Sequence, residues 1–154
     1  MHRLTSLFMT LALAFVATTA SASSVDTLHI FNASTDGGTP QTNGVLSPDG
    51  SVLFGSTTSD GPNGGGTLWR MNTDGTGFQV LRAFDGAGTP DGRYPIGGLV
   101  YQPTLGTDQL FGVNLRGGNA NDDGTLWRMN TDGTGYQVLH TFSDLTDGRQ
   151  PYDI

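Results

Sequence analysis

Apolar and polar positions alternate along this chain in short runs that return at regular intervals. Thr125, Trp127 and Met129 fall on one side of an extended segment, with Leu126, Arg128 and Asn130 on the other. Tyr136, Val138, His140 and Phe142 share a face opposite Gln137, Leu139 and Thr141. Between these runs, Asn130-Thr-Asp-Gly-Thr-Gly135 offers an Asp-Gly turn and a glycine able to take positive φ, which predicts a tight hairpin; Asn72 to Gly77 is its twin. Two further runs, Ile96 to Tyr101 and Asp108 to Val113, precede them across the turn-rich link Pro103-Thr-Leu-Gly-Thr107. Short runs rich in β-branched and aromatic side chains predict strands rather than helices. Four strands in about 50 residues, joined by turns, make a unit the size of a propeller blade.

The unit recurs. Gly66-Thr-Leu-Trp-Arg-Met-Asn-Thr-Asp-Gly-Thr-Gly-Phe-Gln-Val-Leu81 returns 58 residues later as Gly124 to Leu139, with Phe78 replaced by Tyr136 as the single change. Leu28-His-Ile-Phe31, Leu81-Arg-Ala-Phe84 and Leu139-His-Thr-Phe142 align at offsets of 53 and 58. Each is followed by similar punctuation: Asp36-Gly-Gly-Thr-Pro40, Asp91-Gly-Arg-Tyr-Pro95 and Asp147-Gly-Arg-Gln-Pro151. Two copies continue into Gly44-Val-Leu46 and Gly98-Leu-Val100, then Leu53-Phe-Gly55 and Leu110-Phe-Gly112. Self-similarity at this period means units that bury their apolar faces against their neighbours. The expected fold is therefore all-β, a β-propeller-like array of four-stranded antiparallel blades with two full units and the start of a third. The repeat region covers 23–154, with units at about 28–80, 81–138 and a partial 139–154. A strand at Asp26 to Phe31 corresponds to the last strand of a unit. The expectation is an open partial ring whose free sheet edges pair with further blades or with other chains.

This pattern of Leu-x-x-Phe, Asp-Gly-x-x-Pro, Gly-Leu-Val, Leu-Phe-Gly, a Gly-rich loop and Gly-Thr-Leu-Trp resembles the GloVer tandem repeat over essentially all of residues 28–154. The repeat occurs in exported bacterial proteins that often end in one of several sorting or anchor segments. The resemblance implies a propeller-like array with no defined activity. Two departures count: Phe54-Gly-Ser56 and Phe111-Gly-Val113 stand where the family has Tyr-Gly-Thr, and these residues show no anchor.

The first residues break the pattern. Met1-His-Arg3 is positive, Leu4 to Val16 is mostly apolar, and Ala20-Ser-Ala22 is a small-x-small site. The run is shorter than the ~20 residues of a spanning helix, so 1–22 reads as a signal peptide cleaved after Ala22. The expected location is extracytoplasmic: secreted, periplasmic or at the cell surface. The mature chain is not expected to span a membrane.

Composition agrees. The chain has no Cys, Lys or Glu, so disulfides and thiolate metal sites are excluded. An acid set made only of Asp favours turns over helices. Without Arg3, six Arg face fourteen Asp, a net charge of −8, which argues against nucleic acid as a partner.

Candidate chemistry is thin. Asn119-x-Asn121-x-Asp123-Gly124 resembles the start of a calcium loop, but Asn130 stands where the twelfth-position carboxylate belongs, and Asp60 to Gly66 lacks the spacing; a plain turn is the reading. His29 and His140 share a repeat position with Arg82 and read as partly exposed strand residues. Trp69 and Trp127, each followed by Arg (Arg70, Arg128), suit either sugar stacking or blade packing, and their recurrence favours packing. The triplets at Asp91 and Asp147 read as turns entering Pro95 and Pro151. No catalytic, cofactor-binding or metal residue is assigned. The expected function is a non-catalytic extracellular binding or scaffold module for a polysaccharide or protein ligand. The alternative is part of a lactonase-like or glycan-cleaving propeller enzyme whose site lies in other blades.

Overall fold

The alternation resolves into two antiparallel meanders in the computed structural model, which describes residues 25–41, 44–86 and 90–154. The first sheet contains β1 (Gly38–Pro40), β2 (Val45–Leu46), β3 (Val52–Ser59), β4 (Gly64–Asn72) and β5 (Gln79–Asp85). Both β1 and β2 pair with β3, and the path continues to β4 and β5. The second sheet runs in chain order through β6 (Arg93–Gln102), β7 (Gln109–Arg116), β8 (Thr125–Asn130) and β9 (Gln137–Thr141). Beside β7, the single strand β6 takes the place that β1 and β2 share beside β3, with a register shift between Ile96 and Val100. The fold is all-β and propeller-like: two antiparallel blades, one of five strands in which β1 and β2 share one place, the other of four.

The strand runs read from the sequence reappear within three residues at each end. The exception is Asp26 to Phe31, which lies against the first blade without strand pairing. A strand needs a neighbour with which to exchange backbone hydrogen bonds, and the corresponding segments β5 and β9 have β4 and β8. The signal peptide expected at 1–22 lies outside the described residues. Among the described residues, no helix is long and apolar enough to cross a membrane.

The period-2 pattern sends each blade's two faces to different neighbours. Phe54, Leu68 and Phe84 of the first blade meet Leu110, Trp127 and Met129 of the second in one buried cluster. On its other face, Trp69 packs against Phe31 and Phe78, with ring centroids 5.5 and 5.8 Å away. Trp127 is packed alike against Phe84 and Tyr136, at 6.4 and 5.8 Å. The recurrent indoles are therefore packing residues. Each indole N–H is buried without an acceptor among the described residues.

One recurrent glycine follows from the indole. Gly55 pairs with Trp69 and Gly112 with Trp127 across neighbouring strands. A Cβ at either position would clash with the six-membered part of the facing indole. The Leu-Phe-Gly element ends in glycine because the tryptophan lies flat over it. Replacing Gly112 by Ala should destabilise the protein by about 1–3 kcal/mol, the usual cost of overpacking a dense core. Thermal unfolding of the two proteins measures this, and an unchanged midpoint would refute the contact.

Candidate functional site

The residues kept between units converge on the joints between blades. In the first joint, His29 Nε2 hydrogen-bonds Asp36 Oδ2 at 3.0 Å, and its ring stacks on Phe78 at 3.8 Å. In the second, Arg82 pairs with Asp91 while its guanidinium lies 3.7 Å over the ring of Tyr136. One cationic or imidazole side chain thus clamps its own Asp-Gly turn and covers the next blade's aromatic. His29 and His140 do occupy equivalent places, but His29 stands on an unpaired segment and His140 on β9.

The aspartate's carbonyl works in the opposite direction. Thr67 Oγ1 donates to the Asp36 carbonyl at 2.6 Å and sits 2.9 Å from Thr57 Oγ1. The Asp91 carbonyl accepts from Asn114 Nδ2 at 3.0 Å and from the Tyr136 hydroxyl at 2.7 Å. The single change in the long repeat, Phe78 to Tyr136, thereby adds a hydrogen bond at the joint. Burial pushes the Tyr136 phenol well above its ordinary pKa, which keeps it a donor. The following glycines, Gly37 and Gly92, have φ of 94° and 85°, and a Cβ on either would strike these side chains.

The calcium-like loop is braced by hydrogen bonds of its own residues. Asn119 Oδ1 accepts from the amides of Asn121 and Asp123 at 3.0 and 3.3 Å. Asp122 accepts from Gly117 N at 2.6 Å, and its other oxygen lies 2.7 and 3.3 Å from Arg93 and Arg116. Two guanidinium groups thus neutralise Asp122, which lies between the calcium-like positions 121 and 123, while Asp123 is buried with its Oδ1 unpartnered among the described residues. Arg93 is the arginine of the Asp91-Gly-Arg triplet, so that triplet both turns the chain and braces the loop. The second triplet makes a looser pair, Arg149 with Asp144 at 3.7 Å.

A groove of about 390 Å³ opens at the seam between the blades. Phe54 and Tyr101 lie at its base, 5.8 Å apart, with Arg70, Asp49 and Asp108 around them. Tyr101 donates to Asp108 at 2.5 Å, and burial together with that carboxylate pushes the phenol up to about 12. Asp49 is held at about 2 by the Ser47 hydroxyl and the Ser51 amide and hydroxyl. Arg70, bound at Nε to Gln79 (3.1 Å), also lines the groove. Asp49, Tyr101 and Asp108 were not legible as a set, because turns and strands of two blades bring them together.

Residues 14–154 match the family model described as the Gloeobacter/Verrucomicrobia repeat. Among solved structures, the chain is similar to one of a protein assigned as TolB from Agrobacterium tumefaciens, at 17% identity and a TM-score of 0.43. That match covers 71% of this chain and 35% of the other, so this chain spans well under two thirds of its length. No curated protein matches the chain.

The Asp122 cluster sets an acid limit. Burial opposes its ionisation, but Arg93, the Gly117 amide and Arg116 outweigh burial and lower its pKa from 3.8. A carboxyl depressed on folding stabilises fully above its unfolded value, and the gain is lost as pH falls through the folded value. Asp122→Asn should therefore cost about 0.5–1.5 kcal/mol at neutral pH, since solvent reaches Arg116 and screens these partly exposed pairs. The difference from the parent should shrink below about pH 4. Denaturant unfolding at pH 7 and pH 3 tests this, and a difference that persists undiminished in acid would refute it.

Proposed function

We propose that this chain, which belongs to the Gloeobacter/Verrucomicrobia repeat family, is an exported, non-catalytic module whose stacked blades form a scaffold and whose seam binds an extracellular glycan. The carrying observation is the division of labour among residues. The side chains kept between units, Trp69, Trp127 and the Asp-Gly turns, are taken up by stacking. The concave surface left over combines the half-buried ring of Tyr101, backed by the buried Phe54, with the polar groups of Arg70, Asp49 and Asp108.

That mixture suits a sugar. A pyranose offers an apolar C–H face to an aromatic ring and hydroxyls that both donate and accept hydrogen bonds. Asp49 and Asp108 would accept from hydroxyls, and the terminal nitrogens of Arg70 would donate to ring or hydroxyl oxygens. The residues Met1 to Ala22, with their charged start, apolar run and small-x-small end, support export.

Two measurements test this reading. Mass spectrometry of the protein recovered outside the cytoplasm should find Ser23 first, and an intact Met1 retained in the cell would reject export. Electrophoresis through gels carrying a soluble neutral β-glucan should retard the protein, and Arg70→Ala should restore its mobility. Migration unaffected by neutral or charged polysaccharides would reject the seam as a glycan site.

A further inference from the structure

We propose that Asp123, with Asn121 and Asp144 beside it, forms a calcium site between the loop at 117–124 and the turn at 143–148. This holds whether or not the seam takes a ligand. Asp123 is 1% exposed, and its Oδ1 has no hydrogen-bond partner among the described residues. None of those residues forms an ion pair with it either: the guanidinium groups of Arg93 and Arg116 go to Asp122 instead. A carboxylate shut away from water without a counter-charge is strongly unfavourable, so it gathers a cation or a proton.

The surroundings of Asp123 favour the cation. Asn119 Nδ2 donates to Asp123 Oδ2 at 3.1 Å and to the Phe142 carbonyl at 2.8 Å, so the carboxylate stands beside a backbone oxygen. The first blade has Gly65 at this place, where a Cβ would meet the carbonyl oxygens of Phe84 and Asp85 at 2.5 Å. The position lies among backbone acceptors in both blades, and only the second blade puts a carboxylate there. Oxygens gathered without hydrogens between them are what calcium collects, about six to eight at a time.

A second carboxylate is at hand. The Asp144 amide donates to Asp123 Oδ2 at 3.4 Å, which brings Asp144 to the same corner. Its side chain is 55% exposed and held only by Arg149 at 3.7 Å, so it can turn toward the ion. Asn119 Oδ1 accepts from the amides of Asn121 and Asp123 and curls the exposed Asn121 over the same loop. Among the described residues no three acidic or imidazole side chains converge, so carbonyl, amide and water oxygens complete the shell. Two carboxylates match the double charge of the ion. So few suit a weak site, with a dissociation constant of about 0.1–1 mM, as in extracellular calcium modules.

Calorimetric titration of the chelator-treated protein with calcium chloride tests the site. One ion should bind per chain, and the melting temperature should rise with calcium and fall back when EGTA is added. Sodium chloride at equal ionic strength should not reproduce the rise. Asp123→Asn, of the same shape without the charge, should abolish both the binding heat and the calcium-dependent rise. Asp144→Asn, at an exposed position that leaves the fold intact, should weaken binding at least tenfold. No heat and an unchanged melting temperature up to about 10 mM calcium, tenfold above the weakest expected constant, would overturn the proposal and leave a proton on Asp123. So would binding that survives both substitutions, which would put the ion among other aspartates.

Discussion

The array depends on the Asp-Gly turn that ends one blade and begins the next. Its aspartate faces two ways at once. The carboxylate is tied back to His29 or Arg82 of the outgoing segment, and the carbonyl reaches forward to hydroxyl and amide donors on the incoming blade. The glycine supplies the left-handed φ and leaves room for those donors. Each such hydrogen bond nets about 1 kcal/mol, but a buried donor left without its acceptor costs more than that. The joint therefore resists partial opening, and it holds the neighbouring blades where the core cluster can form around Trp127.

Much of this architecture was written in local pattern. Alternation located the strands, Asp-Gly located the hairpins, and the recurring tryptophans announced the blade interface. What escaped was long-range. The pair between Arg82 and Asp91 crosses a turn, and Asp122 finds Arg93 from 29 residues away. Residues 26–31 carry a strand's alternation and still form none, because pairing requires a neighbour that alternation does not reveal. The seam groove was illegible for a related reason: Asp49, Arg70, Tyr101 and Asp108 lie on separate turns and strands and share no motif.

The units differ in ways that compensate one another. Where the first joint uses His29 over Phe78 with Thr57 beside the turn, the second uses Arg82 over Tyr136 with Asn114. A guanidinium over a ring gains from the ring's negative face, and the tyrosine hydroxyl adds a donor to the same carbonyl. The three substitutions act as one, so no single position would have shown why phenylalanine became tyrosine. Shape is preserved at the joint while its chemistry varies, and this lets units stack without being identical.

The acidity of the chain is mostly consumed by its turns. Asp74 and Asp132 are lowered by the hydroxyls and amides of Thr76 and Thr134, two residues on in each hairpin. Asp147 is lowered by the Ser143 amide and His140, and Asp49 by Ser47 and Ser51. These carboxylates are acceptors built into loops, and their charge is a by-product of the turn chemistry that a helix-poor chain demands. The resulting negative field still repels polyanions. In the seam, Asp49, Asp108 and Arg70 line one groove with Phe54 and Tyr101, so it holds opposite charges beside aromatic rings. A neutral, hydroxyl-rich polymer meets both conditions, since it brings no charge into the field and offers a hydrogen-bonding partner to each polar group.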